Sequence, residues 1–220
     1  MVYGLFYQGN VFFCVFCFYE FCFETEWLYN HHERKNRFNL NCRPVLQCLK
    51  DSYGCDFIYR NFLTKDDLKY YMDYFNTVTF KKKYPLVYIS THGWNASIHL
   101  EGVKEKKRKN KSDNEEENKS DIKLSDLAQL SPGFFEDRIV HFSSCKTLLN
   151  RGAVMRFKDD TGALLVSGYQ KSVDAMRSVI LDMAYFDALQ NFSVNTLVKE
   201  TSRFQKRYAS LIEDLKFTFV

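Results

Sequence analysis

Proline is scarce in this chain of 220 residues, with three copies, and glycine is little commoner, with nine. That excludes collagen-like and Pro/Gly-rich low-complexity polymers. Charge of one sign is also lacking. The formal net charge is only +4, and much of the charge sits in one mixed run. No basic face of the kind a dedicated nucleic-acid binder shows is evident, so no nucleic-acid partner is expected. No apolar run reaches the roughly 20 residues that span a bilayer. The apolar, aromatic start of the chain is interrupted by Glu20 and Glu24, and it has neither a positive n-region nor a small-residue cleavage site. The expectation is a cytoplasmic protein with no membrane partner. Phosphate-cradling loops, dinucleotide fingerprints and G-x-S-x-G elbows are absent, and no internal repeat is visible.

What is present suits a packed core. Hydrophobic residues make up 45% of the chain, including 21 Phe and 14 Tyr, most of which should be packing residues. The seven cysteines are odd in number and do not fall into a disulfide framework, so reduced thiols are expected. Cys14 and Cys17 form a C-x-x-C, but in an apolar run without the second pair that a zinc site normally needs. His31 and His32 fall in a polar loop. Neither a metal nor another cofactor is expected.

Along the chain, residues 1–17 read as one or two β-like runs around Gln8-Gly9-Asn10, an N-terminal extension or extra hairpin. Residues 18–220 read as one domain. Strands are expected over 18–24, 55–59, 86–90, 138–143 and 163–169, with a closing strand over 217–220. Between them, Pro44 opens a short helix over 43–51. Thr64 caps a second helix, with Asp66 and Asp67 in its first turn and Leu68, Tyr71, Met72 and Phe75 on one face. Residues 97–100 and 122–124 could pair as a hairpin. Residues 104–121, KEKKRKNKSDNEEENKSD, contain no large apolar residue and read as a disordered, solvated loop insertion. Helices are expected over 124–130, 146–157, about 173–189, and 195–212. Strands alternating with helices imply an α/β fold with a mostly parallel central sheet and helices on both faces. Catalytic groups in such sheets lie beyond the carboxyl ends of the strands.

Two strands end in reactive groups. VYISTHG places His92 and Gly93 just past one strand, and IVHFSSC places Cys145 just past another. A lone cysteine in an apolar strand is more often core than nucleophile, and a lone His-Gly is more often a turn. The pair, in equivalent places on two strands, is the more specific signal. An imidazole or a helix N-terminus activates a thiol, and a helix is expected to begin at Lys146. The N–H groups of Gly93 and Cys145 could serve as oxyanion donors. The expectation is a Cys–His dyad, with His92 as general base and Cys145 as nucleophile.

VYISTHG, then KLSDLAQL, then RIVHFSSCKTL resemble the CHAT peptidases of the caspase–gingipain–separase clan. GALLVSGYQKSVDAMRSVILDMAYFDAL is similar to the strand and helix that follow the nucleophile there. The resemblance spans residues 18–192. It implies a caspase-like α/β/α sandwich and a cysteine endopeptidase acting on protein or peptide substrates, gated by a regulatory protein partner, in bacterial defence or cell death. It also implies that Ser143, with Glu24 or Glu26, lines the pocket for the substrate side chain, where an acidic group would favour Arg or Lys. Gly168 and Tyr169 would add a pocket wall. The chain departs from the pattern in lacking a glycine shortly after Cys145. Its charged loop also precedes the nucleophile, so caspase-type self-processing is not implied. The competing expectations are a non-catalytic interaction protein on the same fold, and a hydrolase of small amides.

Overall fold

The computed structural model describes residues 20–25, 42–100 and 121–220. The expected hairpin at 1–17, the His31-His32 loop, Glu26 and most of the charged insertion lie outside them. Chain order in the first half is β1 (Glu20–Thr25), α1 (Arg43–Tyr53), β2 (Phe57–Phe62), α2 (Lys65–Tyr74), α3 (Val78–Lys83) and β3 (Leu86–Ser90). A small hairpin unit follows, made of β4 (Gly93–Trp94), β5 (Ser97–His99) and β6 (Asp121–Lys123). Then come α4 (Leu124–Leu130), β7 (Ile139–Ser143), α5 (Arg151–Thr161) and β8 (Leu165–Tyr169). The chain ends with α6 (Ala175–Asn191), α7 (Val194–Leu197), α8 (Arg203–Arg207), α9 (Ala209–Leu215) and β9 (Phe217–Phe219).

The main sheet runs β2-β1-β3-β7-β8-β9. Its first five strands are parallel, and β9 closes the edge antiparallel to β8. Strand alternation sorts the side chains into two cores. Phe23, Val87, Ile89, Val140, Phe142 and Val166 pack with residues of α2, α4 and α5. Cys22, Leu86, Tyr88, Ile139, Leu165 and Tyr169 pack with α1 and the α6–α9 segment on the other face. β3 and β8 are buried along their whole length, as strands covered on both faces must be.

The Thr64 cap is as expected: its hydroxyl accepts from the Asp67 N–H, and the Asp67 side chain accepts from the Thr64 N–H, a complete capping box. Two helical expectations are corrected. The stretch 195–212 is three short helices, because Ser193 and Ser202 each cap a new start by accepting from Thr196 and Gln205 N–H groups. The helix expected at Lys146 begins only at Arg151, capped by Asn150; Cys145–Leu148 form a turn. Among the described residues, no helix is long and apolar enough to cross a membrane.

Candidate active site at the ends of two adjacent strands

β3 and β7 are hydrogen-bonded neighbours in parallel register, ending on the pair Ser90 and Ser143. His92 lies two residues beyond Ser90, and Cys145 two residues beyond Ser143. The sheet therefore sends the two loops that carry these groups off the same edge. Adjacent strands are about 4.8 Å apart, so two side chains can meet across that gap. His92 is exposed and Cys145 is half-buried.

Gly93 explains how closely the two loops pack. A Cβ built there would lie 2.0 Å from Thr147 Oγ1, 3.0 Å from Ser144 Cβ and 3.1 Å from the Cys145 carbonyl oxygen. Glycine is needed because the His92 loop rests directly on the Cys145 turn. Gly93→Ala is expected to cost roughly 1–3 kcal/mol, as overpacking does, and to separate the two loops. Chemical denaturation and the rate of Cys145 alkylation would measure both effects.

The Cys145 turn is clamped from two sides. Ala96 N–H donates to Thr147 O at 3.1 Å, and Thr147 Oγ1 donates to Ser97 O at 3.3 Å. These contacts come from the β4–β5 hairpin, whose turn residues Asn95 and Ala96 both have positive φ, as in type I′ turns. On the other side, Lys146 N–H donates to Lys171 O and Leu148 N–H to Tyr169 O, both at 3.1 Å. Lys146 itself turns the chain through a left-handed conformation, φ 57°, with its ammonium 3.9 Å from the centre of the Trp94 ring. The Val173 N–H, just ahead of α6, donates to Cys145 Sγ at 3.4 Å. This backbone donor stands where the helix N-terminus of the sequence reading was expected to act.

His99 is paired with its cross-strand neighbour: its Nδ1 lies 2.7 Å from Asp121 Oδ1. The His99 and His92 ring centres are 6.4 Å apart. A cleft of about 480 Å³ opens beside the hairpin, lined by Trp94, Ser97, Asp121, Asn150, Arg156 and Asp160. Neither His92 nor Cys145 lines it.

The expected pocket residues behave differently from one another. Ser143 is half-buried and its hydroxyl donates to Asp182 Oδ2 at 2.6 Å. The backbone of Glu24 pairs with Ser90, so β1 brings it to the same sheet edge. Gly168 and Tyr169 do not form a pocket wall. A Cβ on Gly168 would lie 2.6 Å from Phe142 O, so this glycine permits strand contact inside the sheet. Tyr169 is fully buried, and its hydroxyl donates to Asp182 Oδ1 at 2.5 Å.

Asp182 is the group the sequence reading missed. It is 0% exposed and gathers Ser143, Tyr169, Tyr88 (3.1 Å) and His141 Nε2 (2.7 Å). His141 Nδ1 continues to Ser167 Oγ at 2.9 Å, and Ser167 contacts the Tyr185 hydroxyl at 3.1 Å. This network lies beneath the Cys145 turn and ties β3, β7 and β8 to α6. One sequence signal was available: Asp182 stands within the buried stripe of Ser178, Leu181 and Tyr185 on α6, a position where a carboxylate needs partners.

Burial, reinforced by the nearby Asp182, pushes the Tyr88 and Tyr169 phenols well above their usual 10; burial also raises Tyr185. The folded chain keeps these protons at a pH where the unfolded chain releases them. Their contribution is complete below about pH 10 and is lost as the pH rises above it. Arg138 acts oppositely. It is fully enclosed, donates to Phe134 O at 2.9 Å, and burial pushes its guanidinium down to about 10. The raised phenols outnumber the one lowered guanidinium, so the slope of stability against pH is negative above about pH 10. Urea unfolding between about pH 9 and 11 would measure that slope.

Residues 108–220 match the family described as "Family of unknown function (DUF6642)". The chain belongs to this family. The matched region begins within the charged insertion and carries α4, the Cys145 strand and everything after it, including Asp182; His92 lies ahead of it. No curated protein matches the chain.

Proposed function

We propose that this DUF6642 protein is a cysteine hydrolase of caspase-like architecture, an endopeptidase in which His92 and Cys145 form the dyad. The observation that carries the reading is the pairing of Ser90 with Ser143 at the ends of β3 and β7, with His92 and Cys145 each two residues further along the chain. The close seat of Gly93 on the Cys145 turn and the Val173 N–H aimed at the sulfur support it.

In this reading His92 takes the thiol proton and the Cys145 sulfur attacks the substrate carbonyl carbon. The oxyanion that forms takes hydrogen bonds from the Gly93 and Cys145 N–H groups. The tetrahedral adduct collapses, the C–N bond breaks, and His92 returns the proton to the leaving amine. Water, deprotonated by His92, then cleaves the thioester and frees the sulfur. Protein or peptide chains are the substrates, and a regulatory partner protein gates access. Basic substrate side chains are preferred, through an acidic residue, Glu24 or Glu26, at the end of the first strand.

A panel of acyloxymethyl ketone peptides with Arg, Lys or Asp at the position before the warhead tests this reading. Stoichiometric labelling mapped to Cys145, fastest with Arg or Lys, is the expected result. Labelling that is absent, or that falls equally on exposed Cys48, would sink the peptidase; fastest labelling by the Asp peptide would sink the acidic pocket alone.

A further inference from the structure

On the face of the sheet that carries the Asp182 network, two more thiols meet. Cys22 lies in the middle of β1, and Cys42 occupies the N-cap of α1. Their sulfurs are 3.1 Å apart, a hydrogen-bond distance, and both side chains are buried, Cys22 completely and Cys42 to all but 5%. A disulfide has its sulfurs about 2.05 Å apart, so closing the bond requires a movement of only about 1 Å. Cys48 and Cys55 offer a contrast. Cys48 reaches the Ser52 hydroxyl on its own helix at 4.0 Å, and Cys55 accepts from the Gln190 amide at 3.4 Å. Neither of those contacts brings a second sulfur close.

We propose that Cys22 and Cys42 are a redox-sensitive dithiol that a peroxide converts to an intramolecular disulfide. The Cys42 sulfur, the less enclosed of the two, attacks the peroxide. An S–O bond forms, the O–O bond breaks, and one water leaves. The Cys22 sulfur then attacks the resulting sulfenic acid; the S–S bond forms, the S–O bond breaks, and a second water leaves. The two thiols together lose two electrons and two protons, and the peroxide is reduced to two waters.

The bond closes a loop across residues 23–41. Cys22 sits two residues before Glu24, whose backbone pairs with Ser90 at the end of β3. Oxidation therefore ties β1 covalently to the start of α1. The dithiol is separate from the dyad, and its chemistry stands or falls independently of the peptidase reading.

The test uses the full chain carrying Cys145→Ala, so that the dyad cannot contribute. The protein is treated with hydrogen peroxide, blocked with iodoacetamide in denaturant and digested with trypsin without reductant. Arg34, Lys35 and Arg37 let trypsin separate the two cysteines. The expected result is an intact mass lower by about 2 Da before blocking, and a linked peptide pair that fragmentation assigns to Cys22–Cys42. Reductant should reverse both changes. Oxidation should raise the Tm by roughly 6–12 °C, and Cys22→Ser or Cys42→Ser should each abolish link and shift together. Finding both cysteines alkylated, carried to sulfinic acid, or linked to other partners would overturn the proposal. Should one serine variant fail to fold, the linkage map of the parent chain decides.

Discussion

Replacing His92 with alanine is expected to slow labelling of Cys145 by a peptide electrophile by roughly 10²–10⁴-fold at pH 7, while leaving the Tm within about 2 °C of the parent. The size follows from the task. A thiol alone is mostly protonated at neutral pH, and a positioned base both removes its proton and later serves the leaving group. The small stability change follows from exposure: His92 stands at the sheet edge and is not part of either core. Cys145→Ala should abolish labelling at this position altogether. Stopped-flow labelling against pH gives the decisive readout. The parent and the His92 variant should differ in rate across the neutral range, the parent being the faster. Equal rates in parent and variant would mean that the pairing of the two strand ends has no chemical consequence.

The second large effect is structural. Asp182→Ala is expected to lower stability by about 3–5 kcal/mol, because breaking a buried pair leaves its partners desolvated and unsatisfied. In a chain of this size that corresponds to a Tm lower by roughly 6–20 °C. Four side chains lose a partner at once: His141, Ser143, Tyr88 and Tyr169. His141 is the most affected, since its ring is fully enclosed and packed face to face with Tyr88, ring centres 5.6 Å apart. Asp182→Asn keeps the volume but replaces one acceptor oxygen by an NH₂ facing donors, so it should recover only part of the loss. Ser143→Ala removes a single hydrogen bond to a charged group and should cost about 1.5–3 kcal/mol. A double-mutant cycle between Asp182 and Ser143 measured by urea unfolding would give their coupling. Additive losses would contradict the shared network.

Much of the fold was legible because its signals are local. The apolar run at 86–90 coincides with β3, the expected strand at 138–143 exceeds β7 by one residue, and the Thr64–Asp67 box starts α2 as read. Alternating strands and helices were enough to anticipate a largely parallel sheet, since a parallel neighbour requires a crossover. The errors were local signals that competed. Lys146–Asn150 has the polarity of a helix start, yet contacts with Ala96, Tyr169 and Lys171 hold it as a turn. In the final third, Ser202, which looks tolerable inside a helix over 195–212, instead starts a new one.

The candidate site divides along the same line. The chain itself determined that an imidazole and a thiol follow two apolar strands, each at the strand's carboxyl end, because hydrophobic runs and their ends are written residue by residue. Tertiary structure decided that those two strands are neighbours and that Ser90 pairs with Ser143, so that the loops carrying His92 and Cys145 leave the same edge of the sheet. It also decided which acid sits under the Cys145 turn. Asp182 meets His141 across 41 positions of sequence, and Cys22 meets Cys42 across 20. Such pairings depend on strand order and on which helix covers which face. Those are set by the burial of whole surfaces, a global balance that no short stretch of chain contains.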